Sequence, residues 1–200
     1  MPTNFSVRSM RKGPALGLAA LLVSALTLVL STNSARAETP SAYMQRVANE
    51  LIAASRDGSD GAFATVLRSH ADVPSIGLSA LGSYSATLPK TDRPAYYNGM
   101  INWIARYASQ EAPKYPVAKA IMIGQSTETA GGAYVDSRVT LKNGDVYEVR
   151  WRLVRRGSAF KVREAEYLGF GMTSALNKLF QDYISDNGGN PRTLVIALNK

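Results

Sequence analysis

The stretch from Val135 to Leu153 constrains the fold most. Val135, Val139 and Leu141 share one parity, and Asp136, Arg138 and Thr140 the other. Past Asn143-Gly144, Tyr147, Val149, Trp151 and Leu153 alternate in the same way with Glu148, Arg150 and Arg152. Successive side chains of a strand point to opposite faces, so each run has one oily face and one wet face. Asn-Gly between two such runs predicts a two-residue hairpin turn with positive φ at both positions. An antiparallel hairpin of this kind must lay its oily face against something. Val117, Lys119, Ile121 and Ile123 read as one face, with its flank, of a preceding strand. Arg156-Gly157 predicts a turn into a last strand from Ala159 to Tyr167.

Helical periodicity on both sides of this block supplies the cover. In the first helix, expected over 41–55, Tyr43, Val47, Leu51 and Ala54 form a stripe that Asp57-Gly58 ends. A short helix around 61–69 carries Phe63, Val66 and Leu67, and further helical turns follow over 75–81. The longest helix starts near Thr91 or Asp92 and tolerates Pro94 in its first turn. Tyr97, Met100, Ile101, Ile104 and Tyr107 recur along it at helical spacing, with Trp103 off the stripe. After residue 171, Met172, Leu176, Leu179, Phe180, Tyr183 and Ile184 form another stripe that Gly188-Gly189 closes. Asn190-Pro191 then caps a terminal helix. The expected fold is α+β: a curved antiparallel sheet of about four to five strands, covered on one face by N- and C-terminal helices. Its parts are helical over 41–112, sheet over 116–168 and helical again over 172–199.

Residues 1–37 have a separate character. Arg8, Arg11 and Lys12 precede an apolar run from Pro14 to Leu30, and a polar stretch ends in Ala35-Arg36-Ala37. This is the layout of a secretory signal peptide cleaved after Ala37, leaving one exported domain over 38–200. The chain's formal charge of +8 falls to +4 once Arg8, Arg11, Lys12 and Arg36 are set aside, which is mild and gives no reason to expect nucleic acid. The absence of cysteine excludes disulfides and thiol chemistry.

Groups for catalysis are scarce. His70, the single histidine, reads as a surface or capping residue at a helix end, without companions for a metal. Glu164 and Glu166, two apart on a strand beside Lys161 and Arg163, read as a solvated sheet face. Gly131-Gly132 and Gly188-Gly189 lack the spacing of a phosphate loop and read as turns. Arg150, Arg152, Arg155 and Arg156 read as a wet face or a docking patch for an acidic partner or lipid phosphate. Apolar side chains, by contrast, are abundant. Periodicity leaves two readings open: a plain core, or a core that stays partly hollow and takes an apolar ligand.

Several segments together carry a family likeness: Val146 to Leu153, Phe160-Lys161-Val162, Gly169-Phe170-Gly171-Met172, Phe180, Gly188-Gly189 and Leu194 to Leu198. With Asp72-Val73-Pro74, Leu81-Gly82-Ser83-Tyr84 and the helix through Tyr96 to Ala108, the chain resembles the Mla-type periplasmic phospholipid carriers, the toluene-tolerance family of ABC-transporter auxiliary components. It departs from their pattern at Ser83 and Asn177, where arginines are usual, and over 168–172. The resemblance implies a sheet of nuclear-transport-factor-like shape joined to a helical part, with a cavity for acyl chains between them and the headgroup outside. It also implies a periplasmic shuttle between an inner-membrane ABC transporter complex and an outer-membrane lipoprotein complex. With so few groups for chemistry, a monomer that is not an enzyme and needs no cofactor is expected. The expected lining is Ile76, Leu78, Leu81, Tyr97, Met100, Ile101, Ile104, Val139, Leu141, Val149, Trp151, Leu153, Phe170 and Met172, with Arg150 and Arg152 on the opposite wet face. The alternatives are a hopanoid-related cargo, or an exported enzyme of the same shape using His70. A lipid chain entering water costs about 0.8 kcal/mol per methylene, so about 15 methylenes cost roughly 12 kcal/mol, which a continuous apolar wall would offset.

Overall fold

The computed structural model describes residues 38–200; the expected leader and its cleavage point after Ala37 lie outside them. Helix α1 (Pro40–Asp57) starts where Thr39 Oγ1 accepts the Ala42 N–H, and stops at Gly58, whose φ of 76° few other residues adopt readily. Helices α2 (Asp60–His70) and α3 (Val73–Leu81) follow, then two short 3₁₀ turns and α4 (Arg93–Glu111), with Pro94 in its first turn as expected. Strands β1 (Val117–Thr129), β2 (Gly132–Leu141), β3 (Val146–Arg156), β4 (Ala159–Tyr167) and the short β5 (Phe170–Gly171) form one antiparallel meander in chain order. Helices α5 (Met172–Asp186) and α6 (Pro191–Leu198) complete the α+β fold, and Asn190 Oδ1 caps α6 by accepting the Arg192 N–H.

Two local expectations need correction. The turn at Asn143-Gly144 is a three-residue loop, Lys142 to Gly144: Leu141 N–H donates to Asp145 O over 2.9 Å and Gly144 N–H to Leu141 O over 3.1 Å. Only Gly144 takes a positive φ, 95°. Asn143 instead uses its Oδ1 to accept the Asp145 N–H, which stabilises the longer loop. On β1 the register slips between Val117 and Lys119, so the inward parity changes. Val117, Ala120 and Met122 face the helices, while Ile121 is exposed and Ile123 borders a groove on the outer face. A bulge reverses the faces of everything beyond it, which alternation alone does not reveal.

Three apolar clusters hold the molecule together. One joins α3, α4, α5 and α6 around Tyr96, Met100, Phe180 and Ile184. A second seats α1 on the sheet through Tyr43, Met44 and Val47 against Val135, Leu153 and Phe160. A third packs α2 between α1 and α4 through Phe63, Val66, Ile101 and Ala105. Leu51 touches the second and the third.

Candidate functional site

Between those last two clusters the helices do not seat fully on the sheet. Two lobes remain, of about 200 Å³ and about 290 Å³. Leu51, Phe63, Ala108 and Trp151 belong to the walls of both, so the lobes form one slot with a waist. The first lobe is bounded by Val47, Val66, Leu67, Ala71, Ile76, Ile104, Val162 and Met172. Ala48, Ile52, Ala112, Val117, Ala120, Val139 and Val149 bound the second. Met172 is half exposed at one end and Tyr115 at the other, so both lobes reach the surface.

The slot exists because the facing side chains are small. Ala48 and Ser55 on α1, Ala108 on α4, Ala112 just beyond it, Ala120 on β1 and Ser137 on β2 stand where larger residues would close the space. Polar atoms in the wall are satisfied locally. Trp151 Nε1–H donates to Ser137 Oγ over 2.8 Å, and Ser137 Oγ–H donates to Val149 O over 3.3 Å. The indole thus offers the lumen its apolar face.

Of the residues expected to line a cavity, Ile76, Ile104, Trp151 and Met172 border the first lobe, and Val139, Val149 and Trp151 the second. Leu81 and Met100 lie in the cluster joining α3 to α6, with Tyr97 packed against it. Ile101 is in the α1–α2–α4 cluster and Leu153 in the sheet cluster. Leu141 is buried at the end of β2, and Leu78 is half-buried on α3. Phe170 is 81% exposed on β5. Helix α4 is wrapped on two sides, by α5 and α6 and by α2, so of its length only Ile104 and Ala108 reach the slot. The contributions of α1 and α2, notably Val47, Leu51, Phe63 and Val66, were not among the expected residues. Their signal in the sequence is the apolar stripe itself, Val47 and Leu51 on α1 and Phe63 and Val66 on α2, while small inward residues such as Ser137 between Val135 and Val139 mark the space.

His70 is buried, not on the surface. Its Nε2–H donates to Glu50 Oε2 over 2.7 Å, and its Nδ1 lies 3.2 Å from the Tyr43 hydroxyl. The hydrogen bond from His70 holds the Glu50 carboxyl below the usual carboxylate range, with Arg46 adding to it. Burial pushes the Tyr43 hydroxyl up to about 12. The trio therefore ties α1 to the end of α2 with its hydroxyl kept protonated. Glu164 is not simply solvated either: its Oε1 accepts the Thr173 N–H over 2.9 Å and the Ala165 N–H over 3.1 Å, an acidic partner for the first turn of α5.

The four arginines disperse. Arg150 pairs with Asp136 at 2.8 Å on the outer face, and Arg152 is exposed there. Arg155 lies 4.3 Å over the Phe160 ring, and Arg156 pairs with Asp72 at 2.6 Å. Among the described residues, no three His, Asp or Glu side chains gather as metal ligands, and no helix is long and apolar enough to cross a membrane.

The family model described as MlaC protein matches residues 40–200. Among solved structures, the chain is similar to the phospholipid-binding protein from Ralstonia solanacearum, determined in complex with a phospholipid. The TM-score is 0.64 at 18% identity, over 80% of this chain and 94% of that one, which is a likeness of fold. No curated protein matches the sequence.

Proposed function

This chain belongs to the MlaC protein family, and on that premise we propose that it is a periplasmic carrier holding phospholipid acyl chains in the slot between helices and sheet. The observation that carries the reading is the two-lobed slot itself, whose wall between Met172 and Tyr115 is apolar but for a few polar residues, Arg163 and Glu164 of the first lobe being the charged ones. The similar R. solanacearum protein, bound to a phospholipid, supports the same cargo. At about 0.8 kcal/mol per methylene, such a wall would offset most of what a tail loses on leaving a bilayer. Ile76, Ile104, Val139, Val149, Trp151 and Met172 are the tail contacts in this reading. Leu81, Met100, Ile101 and Leu153 back the wall from the clusters behind it.

The reading extends to the life of the protein in the cell. The leader over 1–37 directs export and is removed after Ala37. The carrier, a monomer, then moves lipid between the inner and outer membranes, taking or giving it at an ABC transporter complex on one side and a lipoprotein complex on the other. No covalent chemistry is needed, and the arrangement around His70 reads as a structural tie.

Solvent extraction of the purified protein followed by lipid mass spectrometry tests the binding step. Phospholipid in near-stoichiometric amount is expected. Ile104→Asp and Val149→Asp each place an unpaired carboxylate in the slot and should lower it more than about tenfold in a protein with an unchanged circular dichroism spectrum. A folded wild-type protein that carries no lipid and takes none from vesicles overturns the reading.

A further inference from the structure

We propose that Arg163 is the headgroup residue of the slot: it holds an oxyanion at the Met172 end and so fixes which way round the cargo lies. The inference rests on the carrier reading above and adds to it an orientation and a charge preference.

Charge is distributed unequally along the slot. Of all the residues bordering the two lobes, only Arg163 and Glu164 carry permanent charge, and both border the first lobe. The second lobe, running to Tyr115, has none. An amphiphile whose tails fill the apolar length must put its polar end where the wall turns polar.

The backbone places Arg163 there by an irregularity. Between β3 and β4, Arg152 pairs with Glu164 and Leu153 with Val162, so Arg163 is an extra residue without a partner. On a regular strand, neighbours face opposite sides. Here Val162, Arg163, Glu164 and Ala165 all border the first lobe. Bulges re-aim side chains in this way. Arg163 borders the lobe, and its guanidinium is bonded between Ser79 of α3, on the exposed side, and Thr173 of α5.

The guanidinium has donors to spare. Nη2–H donates to Ser79 Oγ over 2.5 Å and Nη1–H to Thr173 Oγ1 over 3.4 Å, both neutral hydroxyls. Among the described residues no carboxylate lies within 4.0 Å of it; the same holds for Arg56, Arg68, Arg93, Arg106 and Arg152, but of these six arginines only Arg163 borders the slot. Three of its five N–H donors remain, in the fork geometry that suits phosphate and carboxylate. Glu164 opposes an anion at this rim. Its Oε1 is committed to the first turn of α5, and its free Oε2 suits an ammonium group, so a head carrying both phosphate and amine finds both partners.

The phosphate of a phospholipid and the carboxylate of a free fatty acid share the required chemistry. The test compares affinities of the delipidated protein for two pairs: phosphatidylethanolamine against diacylglycerol with the same chains, and oleate against oleyl alcohol. The headless member of each pair reads the tails alone. Wild type should prefer a headed member at least about tenfold, or 1.4 kcal/mol. Arg163→Gln should bring that ratio to near one with the headless affinity within about twofold, and Arg163→Lys should keep part of it. The pair that shows the ratio names the source of the oxyanion. A ratio near one in wild type, or one that Arg163→Gln leaves intact, overturns the assignment while headless binding preserves the carrier reading. Absence of binding by all four compounds overturns both.

Discussion

Arg156 grips an aspartate 84 residues back along the chain: its Nη2–H donates to Asp72 Oδ2 over 2.6 Å and its Nε–H to Oδ1 over 3.3 Å. Asp72 is 5% exposed, immediately before α3, and its own N–H donates to Val162 O over 2.8 Å. Ala71 bridges Val162 as well. The α2–α3 junction is thus bonded to the β3–β4 hairpin, and Ala71, Ile76 and Val162 of the first lobe are positioned by it.

Arg156→Met should therefore destabilise the fold, because it leaves a buried carboxylate without its side-chain partner. A hydrogen bond to a charged group contributes about 1.5–3 kcal/mol, and the half-exposed guanidinium argues for the lower end. For a chain of this size about 2 kcal/mol corresponds to a fall in Tm of roughly 4–8 °C. Asp72→Asn combined with Arg156→Met should cost less than the two changes added separately, as thermal melts of the four proteins would show.

The acid limb of the stability curve should depend on His70. The hydrogen bond from His70, and then Arg46, depresses the folded-state pKa of Glu50 below its ordinary 4.5. A depressed carboxyl contributes stability that is complete above that ordinary value and is lost as pH falls through the folded-state pKa. Wild type should thus lose Tm below pH about 4.5. Glu50→Gln should flatten that window, and His70→Asn should shrink it. Equal slopes in all three proteins between pH 3 and 5.5 would show that the pair carries no such linkage.

The waist of the slot offers a variant that separates function from folding. Ala108 borders both lobes, and a phenylalanine in its place would occupy the passage between Leu51 and Trp151. Filling a cavity commonly leaves stability unchanged or raises it. Ala108→Phe should then retain its melting temperature and lose most of its lipid, measured by mass spectrometry of the extract. A protein that keeps a full two-chain lipid would place the tails elsewhere.

The glycine at the start of β2 is required by its neighbour. A Cβ on Gly132 would lie 1.9 Å from the carbonyl oxygen of Leu153 on β3, a backbone atom that cannot move without disturbing the ladder. Gly132→Ala should lower Tm by more than any helix-surface Gly→Ala change in this chain, such as Gly61→Ala, and should weaken amide exchange protection across β2 and β3.

Most of the architecture was legible because it is written in local rules. The alternation of Val135 to Leu153, the stop at Gly58, Pro94 in the first turn of α4 and the cap at Asn190 all act within a few residues. What was not legible depends on contacts across the fold. The slip after Val117 and the extra residue at Arg163 become visible only against the partner strand. The stripe on α4 is apolar on two sides, and nothing in its spacing says that Met100 faces α5 while Ile104 reaches the slot. The hollow itself is marked by small residues at inward positions, Ala48, Ala108, Ala120 and Ser137, whose meaning depends on their facing one another. His70 looked like a surface residue because its partners, Tyr43 and Glu50, lie 27 and 20 residues earlier in the chain.

The turn between β4 and β5 carries strain that a substitution should release. Tyr167 pairs with Phe170, leaving Leu168 and Gly169 as a two-residue loop with φ of 50° and 80°. Positive φ at both positions is the hairpin geometry that favours Asn-Gly, and Leu168 is the single described residue other than glycine to adopt it. A left-handed conformation costs an ordinary L-residue roughly 1–2 kcal/mol, which asparagine partly avoids by bonding locally. Leu168 is 75% exposed, so little burial is lost with it. Leu168→Asn should accordingly stabilise the fold by about 0.5–1 kcal/mol, a rise in Tm of roughly 1–4 °C. Leu168→Val, β-branched at the same φ, should lower it. A melting temperature that falls with asparagine would mean that the leucine side chain makes stabilising contacts at this turn that outweigh its backbone strain.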